Sequence, residues 1–338
     1  RSYDGYSEGR IIDVGSFYAA VKSAFESVFS SVAGIFKDVY IGVPCEFIDT
    51  IKTDNTYSFS STKRLTARHI DNVLMTSAPK VNKGNTIINF GTIFFGLSDK
   101  RKLIDPVGML TDSLRAKVSY FICSDAFLDC VKRAFLPFKD VKELHWIPQN
   151  LAMSRYLFET EKRDAGSILF DFGNISSTFC FACGDGIEFS EAFSLGLYHL
   201  AVLLMEELNI PYNVALEFLN RINLNSKDNK SSNITLTYCG ETYSFSIANL
   251  KELVKEGLDG ICEMIEMCMQ SYGGKNLSDS TIYVTGESVG VLRGALEHIS
   301  ARLVAPVEVI APKLPYYDKP SYSSLFSLIN AALDGKMT

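Results

Sequence analysis

An apolar run ends in a carboxylate, a Gly-Asn pair and two serines in SILFDFGNISSTFCF, residues 167–181. A turn of this kind gathers backbone amides, and glycine lets the main chain come close to a ligand, as holding a phosphate requires. Asp171 is the candidate for Mg2+ held through water, and Gly173, Asn174, Ser176 and Ser177 are the candidates for its phosphate. A second turn, Thr285-Gly286-Glu287-Ser288-Val289-Gly290, also follows an apolar strand. It is expected to open a helix, where amide donors and the helix dipole favour an anion or a polar ring edge. Gly286, Glu287 and Ser288 are its candidates. Each pattern taken alone also reads as an ordinary structural turn. GxxxxGK[ST] is absent, as is GxGxxG after a strand, so neither the common P-loop nor a Rossmann fingerprint is available.

Other reactive side chains form no constellation. Cys180 and Cys183 make one CxxC, but on an alternating strand residues three apart face opposite sides, and no second pair or nearby histidine completes a ligand set. The four histidines, at 69, 145, 199 and 298, share no metal-ligand spacing and read as structural. Eight scattered cysteines in 338 residues form no disulfide framework and fit a reducing, cytoplasmic compartment.

With 33 Lys+Arg against 39 Asp+Glu the formal charge is −6, and no basic tract interleaves with aromatics, which points away from nucleic acid. The longest apolar stretch, Leu195 to Met205, is well short of the roughly 20 residues of a spanning helix. Hydrophobic residues are 47% of the chain and charged residues 21%, a composition that folds. The length calls for two domains or more.

The elements that must position the two turns follow from periodicity. Val21, Phe25, Val28 and Phe29 predict a helix over about 15–30, feeding the strand DVYIGVP. Residues 66–76 read as a polar helix, INFGTIFFGL as an apolar strand, AKVSYFIC as an alternating strand and DAFLDCVKRAFLPF as an amphipathic helix. LAMSRYLFETE is helical and breaks at Lys162 to Gly166. A strand meander follows, SILFDF, STFCFAC and IEFSEAF, turned at Gly173-Asn174 and at Gly184-Asp185-Gly186. Then come a buried helix, LYHLAVLLMEEL, a helix after Pro211, a polar stretch over 224–234 expected to be a mobile loop, and a hairpin turned at Gly240. A long helix, about 248–271, carries Leu250, Leu253, Val254, Leu258, Ile261, Ile265 and Cys268 on a stripe and ends at Gly273-Gly274. Strand TIYVTG, a helix and strand VEVIAP precede a terminal helix expected to dock by Leu325, Leu328, Ile329 and Ala332.

The order of these parts resembles the bacterial cell-division protein FtsA, of the actin-like ATPase superfamily. LIDPVGMLTDSLRAKVSYFICSDAFLDCVKRAFL resembles the family's inserted subdomain, whose Asn/Asp-Pro-x-Gly turn precedes a strand, a loop and a helix. EGRIIDVGSFYAAVKSAFESV with VYIGVP resembles the end of its first subdomain. SILFDFGNISSTFCF falls where the family has D-I-G-G-G-T-x-D, and VTGESVGVLRGALEHI where it has a Gly-rich adenosine turn. The resemblance implies an α/β, actin-like (ribonuclease H-like), two-lobed ATPase fold with an FtsA-type inserted α/β subdomain. It assigns 1–47 and 146–166 to the first subdomain, 48–145 to the insertion, 167–207 and 281–338 to the second subdomain, and 208–280 to a small subdomain of the second lobe.

The same resemblance implies ATP and Mg2+ as cofactors and a scaffold linking the FtsZ ring to the inner face of the cell membrane at the division site. The FtsZ C-terminal tail would bind over 208–280, copies would self-associate, and further division proteins would be recruited. Membrane attachment would use a segment not in this chain. Departures weaken the nucleotide site. The family's opening strand pair, with its first phosphate turn, lies ahead of Arg1. Asn174 and Ile175 replace glycines, Thr178 replaces the closing acid, Glu287 replaces a glycine, and Ala215 and Phe218 stand where an acid and an amine meet adenosine. A β-branched Ile175 opposes close backbone approach. Gln149 holds the place of a water-orienting residue. Two alternatives share the fold: a pilus-assembly adaptor, and a sugar or acid kinase, which needs both phosphate turns intact.

Overall fold

The longest strand of the computed structural model is built from polar residues: β4, Ile48–Arg64, reads IDTIKTDNTYSFSSTKR. The structure describes residues 5–7, 10–31, 36–227, 232–273 and 280–335. The chain divides into two compact units, Arg1–Gly166 with Phe181–Ser190 and Ser324–Thr338, and Ser167–Cys180 with Glu191–Ser323.

In the first unit, the short strands β1 (Tyr6–Ser7) and β2 (Arg10–Ile11) pair antiparallel ahead of α1 (Val14–Ser31). No residue of α1 is fully buried. Its Phe25 instead packs on Phe135 and Phe138, with centroids 5.3 and 4.5 Å away. Strand β3 (Asp38–Val43) enters the long polar strand β4. Helix α2 (Ala67–Ser77) follows, then β5 (Asn85–Leu97), β6 (Lys102–Leu103), β7 (Leu110–Ser124), α3 (Asp125–Phe135) and β8 (Glu143–Pro148). Strands β4 to β7 form an antiparallel sheet in the order β4-β7-β5-β6, while β8 returns to pair parallel with β3.

Strand β7 organises that sheet. AKVSYFIC was expected to alternate, yet Val118 through Cys123 are all buried, because α2 covers one face and other chain covers the second. Each fully buried Val, Ile or Phe there contributes about 1.5–3 kcal/mol. β4 has little apolar signal of its own and forms because β7 supplies its ladder along almost its whole length. Caps fix the helices between. Thr66 and His69 close a reciprocal box at the start of α2, and Ser124 Oγ accepts from Ala126 N at the start of α3. The Asp105-Pro106-Val107-Gly108 turn is tied to the end of β4 through Gly108 N to Leu65 O, 2.9 Å.

Helices α4 (Gln149–Leu157) and α5 (Thr160–Ala165) follow. The break expected at Lys162 falls earlier, at Phe158-Glu159, and Lys162 to Ala165 are helical. The reason is Arg163, whose guanidinium donates to the carbonyls of Phe158 (2.6 Å), Arg155 and Gly184 and to Asp185 Oδ1 (2.8 Å). Arg155 donates twice to the Asp185 carbonyl, at 3.0 and 2.6 Å. Burial pulls the Arg155 guanidinium below its ordinary value, opposed by Asp185.

These arginines seat the Gly184-Asp185-Gly186 turn on the antiparallel sheet. Asp185 N donates to Thr92 O (2.9 Å), Ser119 Oγ donates to Gly91 O (3.0 Å) and Ile187 N donates to Ser119 Oγ (3.1 Å). Glu188 sits between Lys52 of β4, at 2.8 Å, and Lys117 of β7. Burial alone pushes its carboxyl up, but the hydrogen bonds from Lys117 and Lys52 outweigh it and hold the group below the usual carboxylate range. Residues 181–190 therefore cluster with the first unit, although the resemblance groups them with the second subdomain.

Strands β9 (Ser167–Asp171), β10 (Ser177–Cys183) and β11 (Gly186–Phe193) make the expected meander, and the sheet is completed by two later strands. Between them come α6 (Leu197–Leu208), α7 (Tyr212–Arg221), the hairpin of β12 (Asn233–Tyr238) and β13 (Glu241–Ser246), and α8 (Ile247–Tyr272). Then β14 (Ile282–Thr285), α9 (Ala295–Leu303), β15 (Val307–Val309) and α10 (Ser323–Asp334) close the chain. The order is β11-β10-β9-β14-β15, with β9, β14 and β15 parallel. Helix α8 buries Leu250, Val254, Leu258, Ile261, Ile265 and Cys268, as its stripe predicts, and Leu253 partly. Of the expected mobile loop at 224–234, residues 228–231 lie outside the described residues. Its first part is fastened, since Lys251 Nζ donates to Ser226 O and Oγ at 2.7 Å.

Helix α10 corrects a sequence expectation. Leu325 is 52% exposed and Ile329 42%, whereas Ser323, Ser327 and Ala331 are buried. The buried face also carries Leu328, which is half-buried as expected and sits 3.5 Å from where a side chain on Gly42 of β3 would begin, and Ala332 is half-buried too. Among the described residues no helix is long and apolar enough to cross a membrane.

A methyl at Gly186 would lie 2.7 Å from the Gly91 carbonyl and 2.8 Å from Ile93 Cγ1. Gly186→Ala is expected to lower the urea unfolding free energy by about 1–3 kcal/mol through overpacking. Gly260→Ala, which meets open space on α8, should raise it by about 0.5–1 kcal/mol as a helix-interior glycine is replaced.

Candidate functional site

Parallel pairing of β9 with β14 puts Asp171 beside Thr285, so the two turns flagged in the sequence are neighbours. Phe172 N donates to Thr285 O at 2.8 Å and Ser288 N donates back to Phe172 O at 3.1 Å. Gly286 lies directly on the first turn. A methyl there would meet Phe172 O at 2.4 Å and Asp171 Oδ1 at 2.5 Å, and its φ of +112° suits glycine. The structure thus brings Asp171, Gly173, Gly286 and Ser288 together. Glu287 is exposed at the rim, and Ile175 points outward at 39% exposure.

The carbonyls of the first turn are met by donors from other parts of the fold. Ser288, 2% exposed, donates its hydroxyl to Gly173 O at 2.6 Å. Gly173 O also accepts from Leu197 N (3.2 Å), and Asn174 O from Tyr198 N (2.8 Å). These are the first amides of α6, groups a helix otherwise leaves open to an anion. Ser177 Oγ donates to Leu195 O at 2.7 Å. The hydroxyls of Ser177 and Ser288 and the start of α6 are therefore committed to main-chain oxygens. Gly173 cannot bear a side chain, since a methyl would fall 2.1 Å from Ser176 O. Gly196 is equally confined, 2.5 Å from the carbonyl oxygens of Gly173 and Asn174. A turn that presents carbonyls inward offers an anion little.

The second turn differs from expectation. Residues 287–291 are turns, and α9 starts only at Ala295, behind Gly294 at φ +88°. Helix-terminal amides are therefore not at Gly286 or Ser288. The positions the resemblance assigns to adenosine contacts, Ala215 and Phe218, are both fully buried, and Phe218 packs on Phe245 at 5.7 Å. Gln149 opens α4 and lines a cavity of about 260 Å³ with Gly42, Ile147, Ser327 and Leu328. All eight cysteines are free, and Cys180 is buried.

His199 is structural, as the sequence reading has it, and its task shows only in the fold. Its Nδ1 accepts from Gly196 N at 3.2 Å, which places the ring's proton on Nε2 and caps the helix that closes the first turn. Burial holds its pKa below the ordinary imidazole value. A histidine at the third position of an apolar helix carried no signal of this cap, since its partner is a backbone amide.

No protein-family model and no curated protein sequence matches the chain. Solved structures do. The PilM-PilN type IV pilus biogenesis complex matches with TM-score 0.62 at 12% identity, covering 98% of this chain and 88% of that one. MreB5 of Spiroplasma citri bound to ADP matches with TM-score 0.57 at 10% identity, covering 99% and 80%. The same protein bound to AMPPNP gives 0.56 at 10%, covering 98% and 79%. At such identities the likeness shows the fold alone. The chain has the α/β, actin-like ATPase fold.

Because His199 is held below the ordinary value of 6.5, the folded state binds its proton less readily than the unfolded state does. Its contribution is present above about pH 6.5 and lost as pH falls through the folded value. The melting temperature should therefore fall between pH 7.5 and 5 more steeply in the native protein than in His199→Gln. Differential scanning calorimetry at both pH values checks this.

Proposed function

We propose that this chain is an adaptor built on the actin-like ATPase fold, docking a short segment of a partner rather than turning over nucleotide. The single observation that carries the reading is the self-satisfied turn at Gly173 and Asn174. Phosphoryl transfer needs donors, metal and an oriented water in place. Here Ser288 Oγ and the first amides of α6 are spent on the carbonyls of Gly173 and Asn174. That weighs against the sugar or acid kinase. Weak binding of ATP with Mg2+ at Asp171 and Gly286 belongs to the proposal, since MreB5, of the same fold, is seen with ADP and AMPPNP.

In its first form the adaptor is an FtsA-like scaffold of cell division. It ties the FtsZ tail to the inner face of the membrane, associates with further copies and recruits later division proteins. A groove of about 380 Å³ between α7 and β12, within the segment assigned to the tail, supports that form. Val214 and Leu236 lie at its floor, and Glu217 and Arg221 at its charged edge. The second form, a pilus-assembly adaptor, is favoured by the match to the PilM-PilN complex. It has a groove of its own, about 520 Å³, where Ile11, Phe47, Ile122 and Phe127 offer an apolar bed and Arg10 and Asp49 a charged rim.

Immobilised FtsZ C-terminal peptide should retain the chain, and Arg221→Glu should release it. Retention instead by PilN-derived peptides, lost in Phe127→Asp, selects the second form. Failure of both at high micromolar peptide, or steady Mg2+-ATP hydrolysis above the buffer rate, would overturn the adaptor reading.

A further inference from the structure

We propose that Asp38, Glu143 and His145 form a binding site for a divalent cation, Zn2+, across the parallel pair of β3 and β8. The inference stands apart from the adaptor reading and uses other residues. In the register of this pair Asp38 lies opposite Glu143, and Tyr40 opposite His145. Side chains two apart on a strand share a face, so both acids and the imidazole project from one side of the ladder. One potential ligand atom from each of the three lies within 4.8 Å of the others.

The spacing has room for a shared cation. His145 Nε2 stands 3.4 Å from Asp38 Oδ1, long for a charge-assisted hydrogen bond, which runs about 2.7–2.9 Å. Two donors bonded to one tetrahedral Zn2+ at about 2.0–2.1 Å stand about 3.3–3.4 Å apart. The imidazole is oriented in advance. It stacks on Tyr40, centroids 4.6 Å apart and planes 19° from parallel, and its side chain is 14% exposed. Asp38, at 53% exposure, is open to solvent and free to adjust. Two lysines flank the set in sequence, Lys37 and Lys142, and the Nζ of Lys142 is turned away, donating to Lys139 O at 3.0 Å.

One nitrogen and two carboxylates, without a thiolate, suit Zn2+ or Mn2+. The order of divalent affinities places Zn2+ above Mn2+ at such a set, with water completing the tetrahedron. The ion would join two strands that lie on either side of the whole antiparallel sheet in sequence. A ligand bound only by the folded chain stabilises it by mass action. Asp38 precedes His145 by more than a hundred residues, so no sequence spacing announces the set.

Isothermal titration of the full, chelator-stripped chain with ZnCl2 at pH 7.5 tests this. The expected result is one saturable site that weakens at least about tenfold in Asp38→Asn and in His145→Gln. It should persist in His298→Gln, whose imidazole pairs with Asp259 at 2.8 Å. Asp38 and Glu143 are exposed, so Asp38→Asn and Glu143→Gln should keep native far-UV circular dichroism and lose the site together. No saturation by about 100 µM Zn2+, or a site unchanged in Asp38→Asn and His145→Gln, would overturn the proposal.

Discussion

The carbonyl oxygens of Phe172, Gly173 and Asn174 tie together the elements around the two turns. Each buried carbonyl must find a donor, and here the donors are Ser288 N, Ser288 Oγ, Leu197 N and Tyr198 N. Satisfying them fixes the end of β9, the start of α6 and the residues after β14 relative to one another. A glycine at 173 and another at 286 are needed because the main chain passes within van der Waals distance of itself at both. The turn keeps the form of a nucleotide turn while its hydrogen-bonding capacity is used within the fold.

A second constraint of the same kind governs the first unit. Gly91 and Gly186 approach so closely that neither can carry a side chain, and Arg155 and Arg163 hold the carbonyls of Gly184 and Asp185 beside them. Buried guanidinium groups are tolerated because several carbonyls and one carboxylate satisfy their donors. Glu188 adds a carboxylate kept ionised between two lysines. The antiparallel sheet and the β10–β11 turn are thereby joined by main-chain contacts, which specify position more sharply than apolar packing does.

Much of the element order was legible because it follows from local rules. The meander announced itself by Gly173-Asn174 and Gly184-Asp185-Gly186, the later hairpin by Gly240, and α8 by a stripe and a terminal Gly273. Strand β4 was not legible. Its threonines, serines and lysines carry no alternation, and only the ladder offered by β7 makes it a strand. The face of α10 was misread for a related reason. Periodicity selects the leucines, but the buried face is made by the serines and Ala331 together with Leu328 beside Gly42, while Leu325 and Ile329 stay exposed. At the candidate site Asp171, Gly173, Gly286 and Ser288 were picked out by type and spacing, while their adjacency and the direction of their hydrogen bonds came from the pairing of β9 with β14.

The sequence by itself determined where the chain turns, which segments are strands and helices over most of its length, and that two acid- or glycine-bearing turns follow apolar strands. Those features depend on φ preferences, side-chain periodicity and local capping, which act over a few residues. Only the tertiary structure decided that Ser288 and the start of α6 serve the turn's carbonyls, that Gly91 meets Gly186, and that Asp38 stands by His145. Each of those outcomes joins groups tens of residues apart or more, and is set by the pairing of strands rather than by any property of the segments taken singly.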